Sequence, residues 1–466
     1  MLGMGNMRQW LMNISLVGGW LPAAAFAVIA VLSVTLLVSA AVSKRDGRIL
    51  ATVLPIGVAA VSGMVGYVVA WLLSDVFVVF GVGLGSRVMS WVAAGFAIAG
   101  FAIVHIVLSR GMMRVAAAIL TVFAILAAAI GIDQSYGEYA TIGSLFGEDS
   151  YSQADLTGLA KRKDLITVAQ WRKQAANGTI RNIPANGTVN KIDIPATKSQ
   201  FEARKALVYL PPAALADSKR KPALPVVLML SGQPGSPGRV FQAGGIQTMM
   251  DGYAKTHDGL APIVIAADQL GADSHNTLCV DSKVYGNALT YLTQDVVDWV
   301  KTTLPAAQDA KDWAIAGFSQ GATCSLQIGV NHPDLFGTMI PTDSEIKPTN
   351  GSRQEMIDRF FDGDTTAYEN QVPVNAIRNH APTHQMLIIG AGEKDTTSIR
   401  NVKTIAPVAA KAGMRVAAVE SSGNAHDWHA VQDVLRYGLA VFGHDTGLDG
   451  ANPNLSDYPN LKRITI

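Results

Sequence analysis

The chain is poor in charge and poor in cysteine. Only 16% of its 466 residues are Asp, Glu, Lys or Arg, where an average soluble domain has about 25%. Neither sign prevails, because 37 basic residues face 36 acidic ones. That balance excludes a basic nucleic-acid binder and an acidic disordered tail. There are two cysteines, with no C-x-x-C and no H-E-x-x-H. A zinc ribbon, a redox dithiol and a metalloprotease helix are therefore excluded, and no metal or cofactor is expected. No internal repeat and no low-complexity tract is present, which excludes a solenoid.

The scarce charge is unevenly spread. Residues 1–135 hold ten charged side chains: Arg8, Lys44, Arg45, Asp46, Arg48, Asp75, Arg87, Arg110, Arg114 and Asp133. The low average thus mixes a lipid-adapted part with a water-adapted one. Uncharged gaps predict membrane helices near 16–40, 50–73, 88–109 and 114–132, each close to the roughly 20 residues a span needs. The apolar, glycine-broken stretch 74–86 reads as an interfacial turn. Its Gly81-Val82-Gly83-Leu84-Gly85 run lacks the strand–turn–helix setting of a dinucleotide loop. The first apolar run is too long for a cleaved signal peptide and similar runs follow it, so a multi-pass anchor is expected. Lys44, Arg45 and Arg48 in one loop and Arg110 and Arg114 in another place those loops in the cytoplasm. Both termini and everything after about residue 133 are then extracytoplasmic. His105, inside the third helix, reads as a neutral histidine hydrogen-bonded to a neighbouring helix rather than as a functional group.

Residues 136–186 read as a juxtamembrane connector with a weakly helical stretch near 164–176. From 187 to 445 strands alternate with helices. Strands are expected at 189–196, 205–212, 225–232, 262–269, 313–319, 338–343, 385–392 and 415–422. Helices are expected near 239–255, 287–303, 320–331, 402–412 and 427–441. Such βα alternation implies a mostly parallel sheet covered on both faces, the α/β-hydrolase class here, with 446–466 as a tail.

The chemistry centres on Gly317-Phe318-Ser319-Gln320-Gly321, a G-x-S-x-G sequence between an apolar strand and a helix. Glycine on either side lets a nucleophilic serine occupy a sharp, strained turn with its hydroxyl exposed. A serine hydroxyl needs a base, and the base needs an orienting acid, in the chain order Ser, Asp/Glu, His. The base should follow the last strand, which selects His426 at the tip of the Gly423-Asn424 loop over His429, one turn into the next helix. The acid should follow the preceding strand, where Asp395 is the first choice and Glu393 the alternative; Asp343, after the 338–343 strand, is a third candidate. Expected oxyanion donors are the backbone N–H groups of Gln320 and Gln233, the latter in the Ser231–Gly235 loop where Pro234 has no N–H to give. Cys279 and Cys324 are either a disulfide or two buried thiols. Asp273 and Asp281 match no known cation loop.

These residues resemble the esterase branch of the α/β-hydrolases that holds esterase D-like enzymes and the secreted mycolyltransferases. The resemblance is carried by the 208–212 strand end, the loop after 228–232, the segments 277–282 and 291–296, Gly317–Gly321, and Gly423 through His426 to Trp428. It implies the α/β-hydrolase fold, acyl-enzyme chemistry and His426 as the base. In mycolyltransferases an Asp and an Arg of the oxyanion loop serve trehalose; Ser231 and Pro234 stand there here, so that pocket is not carried over.

The expected protein is thus an extracytoplasmic, membrane-anchored serine esterase using a lipid or envelope acyl ester or glycolipid. Its partners are the bilayer and that substrate, with no nucleic acid. One alternative is an envelope acyltransferase of mycolyltransferase type. Another is a non-catalytic hydrolase-like scaffold, against which the intact Ser, Asp, His order speaks. The membrane helices carry few polar groups and read as an anchor rather than a transporter.

Overall fold

In a computed structural model the described residues are 4–42, 48–77, 84–147, 151–156, 159, 164–180, 182–218 and 220–466. Lys44, Arg45 and Asp46, and the start of the Gly81–Gly85 run, lie outside them. The chain forms two compact units, Met1–Glu148 and Asp149–Ile466.

The first unit carries four helices long and apolar enough to cross a membrane. They are Trp20–Ala41, Arg48–Trp71 continued by a π-helical turn Leu72–Val76, Gly85–Leu108 and Met112–Tyr136. The last runs past its expected end at 132. Asp133 lies inside it, and its carboxylate accepts the Tyr139 N–H at 2.8 Å, so the charge there marks a cap rather than a boundary. A short helix, Met4–Met12, precedes them and had no signal of its own. Large apolar side chains exposed on this unit include Val31, Val34, Val61, Met64, Val122 and Ile125. In the whole described chain such exposed residues fall between Met7 and Phe146, Ile466 excepted. An apolar exterior of this extent fits lipid, not water. Small residues let the helices touch, as at Gly131, where a methyl group would fall 2.2 Å from the Trp91 ring. His105 is buried against Phe101, ring centroids 4.6 Å apart, and its Nε2 has no hydrogen-bond partner among the described residues; the expected interhelical bond from that atom is not made.

The second unit is a ten-stranded sheet with helices on both faces. Its strands in chain order are β1 (Ser152–Gln153), β2 (Thr188–Ile192), β3 (Ala206–Leu210), β4 (Val226–Leu230), β5 (Ile263–Ala266), β8 (Trp313–Phe318), β9 (Thr338–Thr342), β10 (Met386–Gly392), β11 (Arg415–Ser421) and β12 (Leu461–Arg463). The short pair β6 (Asp281–Ser282) and β7 (Gly286–Asn287) stands apart from it. The spatial order is β1-β2-β3-β5-β4-β8-β9-β10-β11-β12. From β5 to β11 every neighbour is parallel, while β3 and β12 run antiparallel to the strands they join. This is the α/β-hydrolase architecture. Alternate residues explain why its strands read as unbroken apolar runs. Val226, Leu228 and Leu230 enter the core on one face, and Val227 and Met229 enter the core on the other.

The expected connector and tail are not separate segments. β1, Trp171 and the helix Val168–Ala176 belong to the second unit, and β12 closes its edge on β11. The expected 239–255 helix is two, Pro237–Gln242 and Ile246–Lys255, broken where Gly245 takes a φ of 62°. Helices Arg353–Phe360, Thr365–Glu369 and Pro373–Asn379 fill a stretch left unassigned from sequence.

One buried side chain ties the elements that bear the site. Gln385, at the foot of β10, donates from Nε2 to the carbonyls of Gly329 and Phe336, both at 2.7 Å. Gly329 lies on the helix that follows β8. Gln385→Leu leaves those carbonyls short of a donor and is expected to destabilise the protein by about 1–3 kcal/mol, read as a lower urea midpoint with an unchanged slope.

Candidate functional site

The site lies at the C-terminal edge of the parallel strands. β8 ends at Phe318, the helix Gln320–Asn331 begins two residues later, and Ser319 sits between them with φ 55° and ψ −117°. A non-glycine residue at positive φ is strained and must be held by its surroundings. The Ser319 N–H donates to the Thr342 carbonyl at the end of β9, 3.0 Å away. The two motif glycines are required by backbone contact. A methyl group at Gly317 would lie 2.2 Å from the Gly321 carbonyl oxygen, and one at Gly321 would lie 2.3 Å from that of Ser231. The helix can thus start against the end of β4 only if Gly321 has no side chain.

His426 comes from the loop after β11. Its Nε2 is 2.8 Å from Ser319 Oγ, and its Nδ1 is 2.7 Å from Asp395 Oδ2. Asp395 divides its carboxylate. Oδ2 meets the imidazole, while Oδ1 accepts the Thr397 and Ser398 N–H groups and caps the helix Thr396–Lys411. Burial pushes this carboxyl up, but hydrogen bonds from His426 and Ser398 outweigh it and hold it below its ordinary value. For His426 burial works toward the neutral form; the bond to Asp395 and the nearby carboxyl groups of Asp343, Asp395 and Asp427 prevail and raise its pKa.

The loop holding His426 is braced from several sides. Asp427 accepts the Ala425 N–H with one oxygen and the Ala430 N–H with the other, at 2.8 and 3.0 Å, and so caps the helix Trp428–Asp445. Asn424 donates to Ser421 and Asp433. Gly392 touches this loop directly: a methyl group there would fall 2.0 Å from the Ala425 carbonyl oxygen. Rings of Phe318 lie 5.0 Å from both His426 and Trp428.

The three side chains Ser319, His426 and Asp395 are therefore brought together. Glu393 is not in that chain. It accepts the Gly423 N–H at 2.7 Å and pairs with Lys462 of β12, which holds its carboxyl below the ordinary value. His429 lies in the first turn of the helix Trp428–Asp445. Asp343 stands behind the pair of His426 and Asp395, fully buried and held well above the usual carboxylate range by burial first, then by Asp395 and Asp427. Sequence reasoning did not foresee Glu345, a half-buried carboxyl that burial pushes up to about 7. It lies in the turn after β9, where its N–H donates to Thr323 Oγ1 at 2.9 Å, a contact no local pattern encodes.

The loop after β4 comes up to the serine, with Gly232 packed against Phe318 and Ser319. Gln320 begins the helix with its backbone at the same place, and its side chain is buried in a polar net. Its Oε1 accepts from Gln269 at 3.2 Å, and its Nε2 approaches Asn276 Oδ1 and Cys324 Sγ. Gln269 also donates to the Ser231 carbonyl at 2.6 Å, which fixes the loop of Gln233. Cys279 and Cys324 form a disulfide across this region, Cα atoms 5.7 Å apart. Among the described residues the metal-ligand types that gather within 4.8 Å are Asp343, Asp395 and His426. Both nitrogens of that imidazole are already engaged by Asp395 and Ser319.

The family model described as "Putative esterase" matches residues 198–438. An uncharacterized protein of Corynebacterium glutamicum is 32% identical over 333 residues, which is 70% of this chain and 74% of that protein. Among solved structures, an S-formylglutathione hydrolase from Agrobacterium tumefaciens is 16% identical with a TM-score of 0.46, covering 57% of this chain and 98% of its own. A fluorophosphonate-binding serine hydrolase of Staphylococcus aureus is 14% identical with a TM-score of 0.44, covering 55% and 98%.

The elbow contacts give a direct test. Gly321→Ala is expected to destabilise the protein by about 1–3 kcal/mol or more, because the new methyl meets a strand carbonyl that has nowhere to go. Gly252→Ala is the control: nothing lies within 4 Å of its added methyl, and mid-helix it should be neutral or stabilising by up to about 1 kcal/mol. Chemical denaturation of both variants decides it, and equal midpoints would remove the packing argument.

Proposed function

Since this chain belongs to the Putative esterase family, we propose that it is a membrane-anchored serine esterase working through an acyl-enzyme on a lipid or cell-envelope acyl ester. The observation that carries this reading is the unbroken hydrogen-bond chain from Ser319 Oγ through His426 to Asp395. Ser319 attacks the ester carbonyl while His426 Nε2 takes its proton. Asp395 holds the Nδ1–H tautomer and stabilises the imidazolium. The oxyanion that forms needs backbone donors, a role for the N–H groups of Gln320 and Gln233. His426 then gives its proton to the departing alkoxide. Water, activated by the same imidazole, releases the acid and restores Ser319.

A fluorophosphonate probe should label the wild-type protein at Ser319 and leave Ser319→Ala unlabelled. Absence of wild-type labelling would sink the enzyme reading. Product formed only when a sugar acceptor is added, with no free acid, would move the reading to acyl transfer. Because the base must be neutral and its pKa is raised, activity should fall as the medium is acidified through a pH above about 6.5, the ordinary imidazole value. A limb well below that value would contradict the role of the carboxylates around His426.

We place the catalytic unit outside the cytoplasm. The basic loops at Lys44–Arg48 and Arg110–Arg114 support this by the positive-inside bias. The disulfide supports it too, since such bonds persist in oxidising compartments. Trypsin added to intact spheroplasts should cut within 150–460. Full protection there, with cleavage in inverted vesicles, would reverse the orientation.

A further inference from the structure

The relay from Ser319 to Asp395 leaves one adjacent carboxyl without a part. Asp343 follows β9 with φ 55°, a conformation fixed by its N–H bond to the Gly390 carbonyl at 2.9 Å. Its Oδ1 accepts the Gly392 N–H at 2.9 Å. Among the described residues its Oδ2 has no hydrogen-bond partner, and the residue is 0% exposed. One oxygen of Asp343, one of Asp395 and a ring nitrogen of His426 all lie within 4.8 Å of one another. Two successive strands, β9 and β10, thus each deliver a carboxyl to one imidazole. A buried, unpaired carboxyl oxygen costs stability wherever it serves no purpose.

We propose that Asp343 is a second orienting acid for His426, standing behind Asp395 and serving in its place when Asp395 is neutralised. The inference rests on the serine-esterase reading above. Asp343 is a positioning residue: it acts on Ser319 only through the imidazole. With both acids present, burial and the Asp395 charge push Asp343 toward its protonated form. Loss of the Asp395 charge removes that repulsion. Asp343 can then release its proton to solvent and supply the anion that the imidazolium needs when it takes the Ser319 proton. The other charged groups facing His426 are Asp427, from the start of the last long helix, and Glu345, two residues beyond Asp343.

The test compares full-length Asp395→Asn, Asp343→Asn and the double variant, by hydrolysis of a p-nitrophenyl ester and by fluorophosphonate labelling across pH. Asn at 395 keeps an oxygen for the helix cap, and circular dichroism checks folding. Neutralising the acid of a triad costs about 10⁴-fold. Asp395→Asn alone is expected to fall well short of that loss, and adding Asp343→Asn to lower the rate by roughly tenfold or more toward it. The acid limb of the residual activity should also move to lower pH in the double variant, because an anion beside His426 has gone. A purely structural Asp343 would not move that limb. Equal rates and equal limbs for Asp395→Asn and the double variant would overturn the inference. If the double variant does not fold, the limb of Asp395→Asn alone decides: near or above pH 6.5 supports the inference, and far below it overturns it. Wild-type protein that labels at Ser319 but shows no coupling defeats this inference alone. Wild-type protein that does not label defeats the reading beneath it as well.

Discussion

His426 holds two hydrogen bonds at once, one to Ser319 and one to Asp395, and every segment around the site serves to keep its ring in that position. The imidazole is largely removed from water, which by itself would keep it from accepting a proton. The hydrogen bond to Asp395 after β10 reverses this first, with the carboxyl groups of Asp343 after β9 and Asp427 ahead of the last long helix acting in the same direction. The ring is also pressed against Phe318, the residue before the serine. A base that must be uncharged at rest and charged in the transition state needs such a balance between burial and nearby anions.

Holding the ring is a backbone problem before it is a side-chain one. The turn after β10 and the loop after β11 touch at Gly392, and they exchange bonds as Lys394 N–H donates to the Asn424 carbonyl and Glu393 N–H to that of Ser421. Glu393 adds its carboxylate to the Gly423 N–H. The segments that carry Asp395 and His426 are therefore bonded to each other. The serine is fixed with the same economy. Gly317 and Gly321 let the helix start within contact of two strands, and that crowding holds Ser319 at a φ it would not choose alone.

Much of this could be read from the sequence, and the limits have physical causes. Of the eight strands expected from β2 to β11, β3, β4, β5, β8, β9 and β10 stand out because burial on both faces makes each an apolar run between turn residues, while β2 and β11 are partly exposed. β1, β6, β7 and β12 are two or three residues long and present no period to detect. The G-x-S-x-G sequence, the loop of His426 and the turn of Asp395 are local signals, so they were legible. The division of labour between Asp395 and Glu393 was not. The two lie in one turn, and what separates them is that Lys462 of an edge strand takes Glu393. Asp343 appeared only as a third choice of acid, since its approach to His426 depends on β9 lying beside β10. The net of Gln269, Gln320 and Asn276 has no sequence signature at all, because it joins two distant segments, the loop after β5 and the start of the helix after β8.

That net bears on why the cysteines are where they are. Cys324 lies on the helix begun by Gln320, and Cys279 lies on a loop whose backbone is held at positive φ at both Leu278 and Cys279. Two consecutive side-chain-bearing residues in that conformation would relax if the loop were free. The disulfide joins the loop to the helix, and Gln320 Nε2 rests on its sulfur atoms. Gln320 in turn accepts from Gln269, which holds the Ser231 carbonyl beneath Gly232. The cross-link is thus connected through Gln320 and Gln269 to the loop that approaches the serine on one side, and lies on the helix of the serine on the other. Its rigidity reaches the backbone N–H groups around Ser319, where donors must be in place before charge develops. An arrangement that depends on a disulfide in this way suits the oxidising side of a membrane, so the chemistry of the site and the compartment we propose for it make the same demand on the chain.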